Sequence, residues 1–274
     1  MEKLAADYAT CDALLKRDDR DRWLASLFLP ARLRPHIHAL YAFSLEIARV
    51  RQLVSEPMLG EIRFQWWREV LAGEGGEANP VAAALLDTIA RFALPREPLI
   101  GLIDARLFDL YDAPMPSIAA LETYAKATAA SLFQLAASIL GAGEESIAAA
   151  EHAGIAYAVM GLLRALPWHL AAGQVYIPLD VLAAQGLDGL RTGRDKAALL
   201  HALAEIRALA RRHLMEFAGA ARAGNAAPAF LPLALCEPYL GQMENPGYDP
   251  FTSRIALPDW RRLWLLWRAA RRIG

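Results

Sequence analysis

Asp18-Asp19-Arg20-Asp21 is the densest acidic cluster in this 274-residue chain, and grouped carboxylates are the usual oxygen ligands of a hard divalent cation. Arginines interleave with these acids, so the expectation is a water-facing turn whose charges neutralise one another. Asp104, Asp109 and Asp112 come next. Only Asp109 and Asp112 can share a helix face, and two acids without a second cluster make a weak metal site, so these too are expected at the surface. His36 and His38 lie two residues apart and project from different helix faces, a poor metal pair. His152, His201 and His213 stand alone in the sequence. No GxSxG, Walker A, GxGxxG or HExxH pattern occurs, which leaves serine-nucleophile, nucleotide-loop and zinc-hydrolase chemistry without support. Cys11 and Cys236 match no metal spacing and read as reduced thiols.

The elements that would position these groups are helical. The hydrophobic fraction is 55% with mean hydropathy +0.21, supplied mostly by alanine and leucine, which favour helix. Apolar residues recur at helical spacing and predict helices over 36–54, 59–71, 80–93, 96–111, 117–140, 144–166, 195–223, 228–240 and 258–273. Asn79-Pro80 reads as a cap and first helical residue. The short β-branched stretch 173–180, GQVYIPLD, reads as an extended loop. No linker or repeat divides the chain, so residues 1–274 are expected to form one domain. A net charge of −1 with no basic stripe argues against nucleic acid. The first residues carry neither a signal-peptide apolar core nor a transit pattern, and no run of ~18 apolar residues is uninterrupted, so the expectation is a soluble or peripheral protein.

Three segments carry a family resemblance: RWLASLFLPARLRPHIHALYAF (22–43), YAKATAASL (124–132) and LLRALPWHLAAGQVYIPLDVL (162–182). In order and at compatible spacing, they resemble the squalene/phytoene synthase family. The resemblance implies an all-α, single-domain isoprenoid-synthase-type helical bundle around a central cavity. It implies too that active members join isoprenyl diphosphates, with Mg²⁺ held by aspartates on two facing helices. Here the first set of aspartate positions holds Ala48, Arg49 and Gln52. The second holds Ala165, Trp168 and His169, and Gly161 replaces an amide. No metal site and no cofactor are therefore expected, and catalysis is disfavoured. AFSLEIARVRQLVSE (42–56) and LLRALPWHL resemble the branch containing the mitochondrial assembly factor of respiratory complex I and its bacterial relatives. That implies a non-catalytic assembly role with complex I subunits as partners, or an isoprenoid or lipid-like ligand. The absent transit pattern suits a bacterial, cytoplasmic protein, peripheral to the inner membrane. A divergent prenyltransferase using Arg164 and His169, or an isoprenoid carrier, are the alternatives.

Ligand-binding candidates at the degenerate site are Tyr41, Arg49, Arg164, His169 and Tyr176, because arginine grips phosphate without metal. The competing expectation is that Arg164 pairs with a buried acid such as Glu46. Of Arg49 and Arg51, at most one is expected to point inward. Trp168 stands where it could plug the cavity. Trp66 and Trp67 are expected in the core. In DWRRLWLLWRAARRIG (259–274), Trp260, Leu263, Trp264 and Trp267 share one face and arginines enrich the rest. Packing of that face is the expectation, with peripheral membrane contact through Trp260, Trp264 and Trp267 as the other reading.

Overall fold

The computed structural model describes residues 2–188, 196–220 and 224–273, and among them it contains helices and loops but no strand. α1 (Glu2–Asp18) and α2 (Arg20–Ser26) lead into α3 (Arg34–Leu53), α4 (Pro57–Ala72), α5 (Pro80–Phe92) and α6 (Glu97–Leu110). α7 (Ile118–Ala125) runs through a π-helical turn, Lys126–Ala130, into α8 (Ser131–Ile139). Then come α9 (Ile147–Arg164), the short α10 (Leu166–Ala171) and α11 (Leu179–Ala184), and the long α12 (Lys196–Ala220). A 3₁₀ segment, Gly224–Leu235, precedes α13 (Cys236–Gln242) and α14 (Asp259–Ile273).

Local chemistry sets these boundaries. Asn79 caps α5 by accepting hydrogen bonds from the amides of Val81 and Ala82, with Pro80 just inside the helix. Gly73 ends α4 at φ 98°, a left-handed conformation that favours glycine. The expectation of one helix over 228–240 is wrong. Pro228 and Pro232 each lack an N–H and would clash in an α-helix, so the chain takes 3₁₀ turns until Cys236. The expected helix 117–140 appears as α7, the π turn and α8 in unbroken succession, and 144–166 ends at Arg164 before Pro167 opens α10. Residues 195 and 221–223, the ends of the expected 195–223 helix, lie outside the described residues. α1 and α2 have no counterpart in the sequence expectations.

α9 is the hub. It packs against α8, α12, α13 and the π turn, while α1, α3 and α5 pack together on the N-terminal side. Residues 144–164 are long and apolar enough to cross a membrane, yet more than half of that stretch is buried inside the bundle. Phe43, Phe64 and Phe133 are among its largest fully buried side chains. Cys11 and Cys236 are free and buried. α14 rests on the 3₁₀ segment and on α2.

His38 on α3 introduces a pH dependence. It is 2% exposed, and its Nε2 lies 2.7 Å from Ser26 Oγ, which itself donates to the Trp23 carbonyl. The other ring nitrogen, Nδ1, lies 3.2 Å from Asp12 Oδ1. Burial holds the ring down at about 4, with Asp12 opposing and Arg34 adding to the effect. Between that value and the unfolded ~6.5 the unfolded chain binds the extra proton, so stability falls as pH drops through this window and is full above it. Urea unfolding at pH 7 and pH 5 is expected to give a lower midpoint at pH 5, and His38→Gln to flatten part of that difference.

Candidate functional site

The acids at the α1–α2 junction face inward, contrary to the water-facing expectation. In α2, Asp21, Leu24 and Ala25 occupy positions i, i+3 and i+4, so one face carries both the carboxylate and the apolar anchors, all three buried. Asp21 is 4% exposed. It accepts a 2.5 Å hydrogen bond from Arg164 Nη1 of α9 and bonds of 2.9 and 3.0 Å from the Tyr239 hydroxyl of α13. Arg262 Nε of α14 stands 3.2 Å away. Asp18 pairs with Arg49 of α3 at 2.8 Å, and Asp19 pairs with Arg22 at 3.2 Å while capping α2. The physical reason for the correction is charge. Guanidinium groups arriving from four helices would be costly to bury alone, and this acidic segment is their counterion.

Arg164 therefore pairs with a buried acid, as one expectation held, but the acid is Asp21 and not Glu46. Its guanidinium also lies 4.7 Å over the Tyr239 ring. Arg22 sits between the rings of Tyr41 and Tyr157, at 4.8 and 5.0 Å. Burial pushes the Tyr41 hydroxyl up to about 12, against the pull of Arg22, so it stays protonated. Arg17 and Arg49 hold the Asp18 carboxyl down at about 2, so it stays charged. A void of about 10 Å³ lies beside Arg22 and Tyr41, room for no more than about one water molecule.

A second polar cluster forms around Asp109 of α6, which is buried and not at the surface. It accepts from the hydroxyls of Tyr176 at 2.7 Å and Tyr124 at 3.0 Å, and pairs with Arg106 at 2.9 Å. The burial follows from those three donors, which satisfy its lone pairs away from water. Asp104 and Asp112 do meet solvent, paired with Arg68 and Arg51. The His169 ring lies 4.7 Å from that of Tyr176, and its buried Nδ1 has no hydrogen-bond partner. Burial holds His169 at about 4, so it is neutral near pH 7, and no carboxylate orients it as a general base would require.

The five ligand candidates thus divide. Tyr41, Arg49 and Arg164 gather at the junction acids, whereas His169 and Tyr176 belong to the Asp109 cluster. Arg49 pairs with Asp18 at the junction, whereas Arg51 pairs with Asp112, which meets solvent. Trp168 is half exposed and does not plug the interior; Trp67 is buried but Trp66 is partly exposed. His36 contacts Tyr8 and Thr88 while His38 contacts Ser26, in keeping with their separate faces. His152 and His213 are not solitary. Their Nδ1 atoms lie 2.9 Å apart, and Glu122 stands 3.1 Å from His213 Nε2.

Sequence reasoning missed Asp21, Arg22, Tyr157, Tyr239, Arg262 and the Asp109 network. For Asp21 the apolar spacing of Leu24 and Ala25 was the available signal. The tyrosines offered none.

The residues do not fit a magnesium cluster. Ala48, Arg49, Gln52, Ala165, Trp168 and His169 present no carboxylate, and the nearby Asp18 and Asp21 are held by arginines. Among the described residues, no group of three or more His, Cys, Asp and Glu side chains is placed to hold a metal ion.

A bundle of long helices, with the degenerate positions at the end of α3, just after α9 and on α10, has the isoprenoid-synthase-type fold of solved structures. A crystallised squalene synthase, HpnC from Alicyclobacillus acidocaldarius, superposes with a TM-score of 0.75 at 24% identity, covering 92% of this chain and 98% of that one. A dehydrosqualene synthase crystallised with a ligand gives 0.79 at 16% identity, covering 99% and 98%. The squalene/phytoene synthase family profile matches residues 15–268, and the chain belongs to that family. It is 34% identical over 250 residues to the rat NADH dehydrogenase (ubiquinone) complex I assembly factor 6, covering 88% of this chain and 75% of the relative. The human counterpart is 32% identical over the same shares. The phytoene synthase of Thermus thermophilus is 28% identical over 277 residues, covering 96% and 92%.

Proposed function

We propose that this protein is a non-catalytic member of its family that assists assembly of respiratory complex I, working without magnesium. The observation carrying this reading is the pairing of Arg49, at a degenerate metal position, with Asp18, and of Arg164, beside the second set, with Asp21. Ion pairs internal to the chain occupy the ground where a diphosphate and its cations would have to be held. The likeness to complex I assembly factors supports the same reading. Its partners on this view are complex I subunits, met by a cytoplasmic protein at the periphery of the inner membrane. A prenyl diphosphate would have to displace Asp21 from Arg164 before it could bind there.

Incubating the purified protein with farnesyl or geranylgeranyl diphosphate and Mg²⁺ is expected to give neither condensed product nor released diphosphate. Product formation that disappears in Arg164→Ala would overturn the reading. Deleting the gene is expected to lower complex I activity and leave the isoprenoid profile unchanged; intact complex I activity would remove the assembly role.

A further inference from the structure

α14 has two faces suited to different surroundings. Leu266 is fully buried, and Arg262, Ala269 and Ala270 are partly buried beside it, on the side of the 3₁₀ segment and α2. The opposite side carries Trp260, Trp264 and Trp267, which are 72%, 49% and 47% exposed, and Leu263 joins them. Their i, i+4, i+7 spacing makes one continuous stripe of indoles. The packing expected of this face is therefore incorrect. The small residues went inward because they let α14 approach its neighbours closely, and the large ones were left outside. An apolar stripe of this size marks a contact surface.

The charges beside the stripe say what covers it. Arg261, Arg268, Arg271 and Arg272 are exposed along the same helix. Arg268 lies 5.5 Å from the Trp264 ring and Arg271 5.1 Å from that of Trp267, so these cations stand level with the indoles. The helix's one acid, Asp259, is tied to Arg20 and Arg262. Next to Arg268 and Arg272, a groove of about 820 Å³ opens toward the end of α12 and the 3₁₀ segment, lined by Phe217, Phe230 and Leu265. Indoles at headgroup depth, arginines beside them and adjoining apolar surface are what a phosphate-bearing bilayer accommodates. We infer that α14 docks this protein on an anionic lipid bilayer, with the three tryptophans in the interface and the arginines on lipid phosphates. The inference stands on α14 alone and does not depend on the assembly reading.

The test is co-sedimentation of the full chain with vesicles of phosphatidylcholine, alone or mixed with phosphatidylglycerol. Binding is expected to the mixed vesicles only and to weaken with salt, because lipid surface charge is screened. Arg268→Gln combined with Arg271→Gln is expected to lower partition by about tenfold or more, since each arginine near the surface adds roughly a fivefold preference. The triple variant Trp260→Ser, Trp264→Ser, Trp267→Ser is expected to lose binding while remaining folded with a modestly lower urea midpoint, because the three side chains are half to three-quarters exposed. A variant at Leu53, exposed on another helix, serves as the control that leaves binding unchanged. Absence of binding to mixed vesicles, equal binding to both kinds, or undiminished binding by the triple variant would each overturn the inference. None of these readouts involves complex I, so the two proposals fail separately.

Discussion

Asp21→Asn is expected to destabilise the fold by about 1–3 kcal/mol, because a buried carboxylate shared by two arginines is lost, although Arg164, 35% exposed, regains part of its solvation. Asp21 is 4% exposed and serves Arg164, Tyr239 and Arg262 together. Asparagine keeps the shape but neither the charge nor the second acceptor, since its amide nitrogen donates where Arg164 and Tyr239 also donate. Arg164 would then retain only the face of Tyr239, and Arg262 only Asp259. Urea unfolding measures the loss directly. The comparison is Asp259→Asn, a carboxylate that is itself 47% exposed and whose pair with Arg20 belongs to the class worth about 0–1 kcal/mol. The double variant Asp21→Leu, Arg164→Met removes both charges and is expected to recover much of the stability, since apolar replacements of buried pairs are often neutral. If Asp21→Asn behaves like Asp259→Asn, the junction acids are not the counterion of the interior.

Gly154→Ala is the second large effect. A Cβ at this position in α9 would stand 2.2 Å from both the Cα and the amide nitrogen of Ala130, the last residue of the π turn. Those are backbone atoms and cannot rotate aside. Overpacking in a core usually costs about 1–3 kcal/mol, and a clash with backbone belongs at or above the upper end of that range. The melting temperature is expected to fall by about 6 °C or more, at roughly 2 °C per kcal/mol for a chain of this size. Gly101→Ala in α6 meets nothing within 4 Å and is expected to leave stability unchanged or slightly raised, the usual helix preference for alanine. The π turn lies against this glycine inside a helix that runs without a gap through α7, the turn and α8, where one helix over 117–140 is expected.

These two sites show what the sequence could and could not disclose. The helices expected at 36–54, 59–71, 80–93 and 96–111 appear as α3 to α6 with ends displaced by a few residues, because period and caps are local properties. The first set of degenerate positions falls at the end of α3, and the second falls just after α9 and on α10. The counterions were not legible. Asp21 and Arg164 are 143 residues apart, and their pairing is decided by how whole helices pack. Charge density in 16–22 suggested water precisely where the fold needed acids, since composition does not report on what arrives from elsewhere. α14 gave the opposite lesson. Its two-faced pattern was plain, yet pattern alone does not say which face is inside, and Leu266 with two alanines took the place expected of the tryptophans.

The span of the Asp21 cluster bears on the order in which this chain can fold. Asp21 reaches Tyr239 across 218 positions, and Arg20 reaches Asp259 across 239. Contacts so distant close the largest loops and form slowly. During synthesis the first twenty-odd residues leave the ribosome long before their cationic partners on α9 and α14 exist. Until then the acids remain solvated, and α2 has no reason to hold its native orientation. The C-terminal helices therefore act as the closing step of maturation, and a chain interrupted ahead of α13 would pair Asp18 with Arg49 and Asp21 with Arg164 but leave Asp21 without Tyr239 and Arg262.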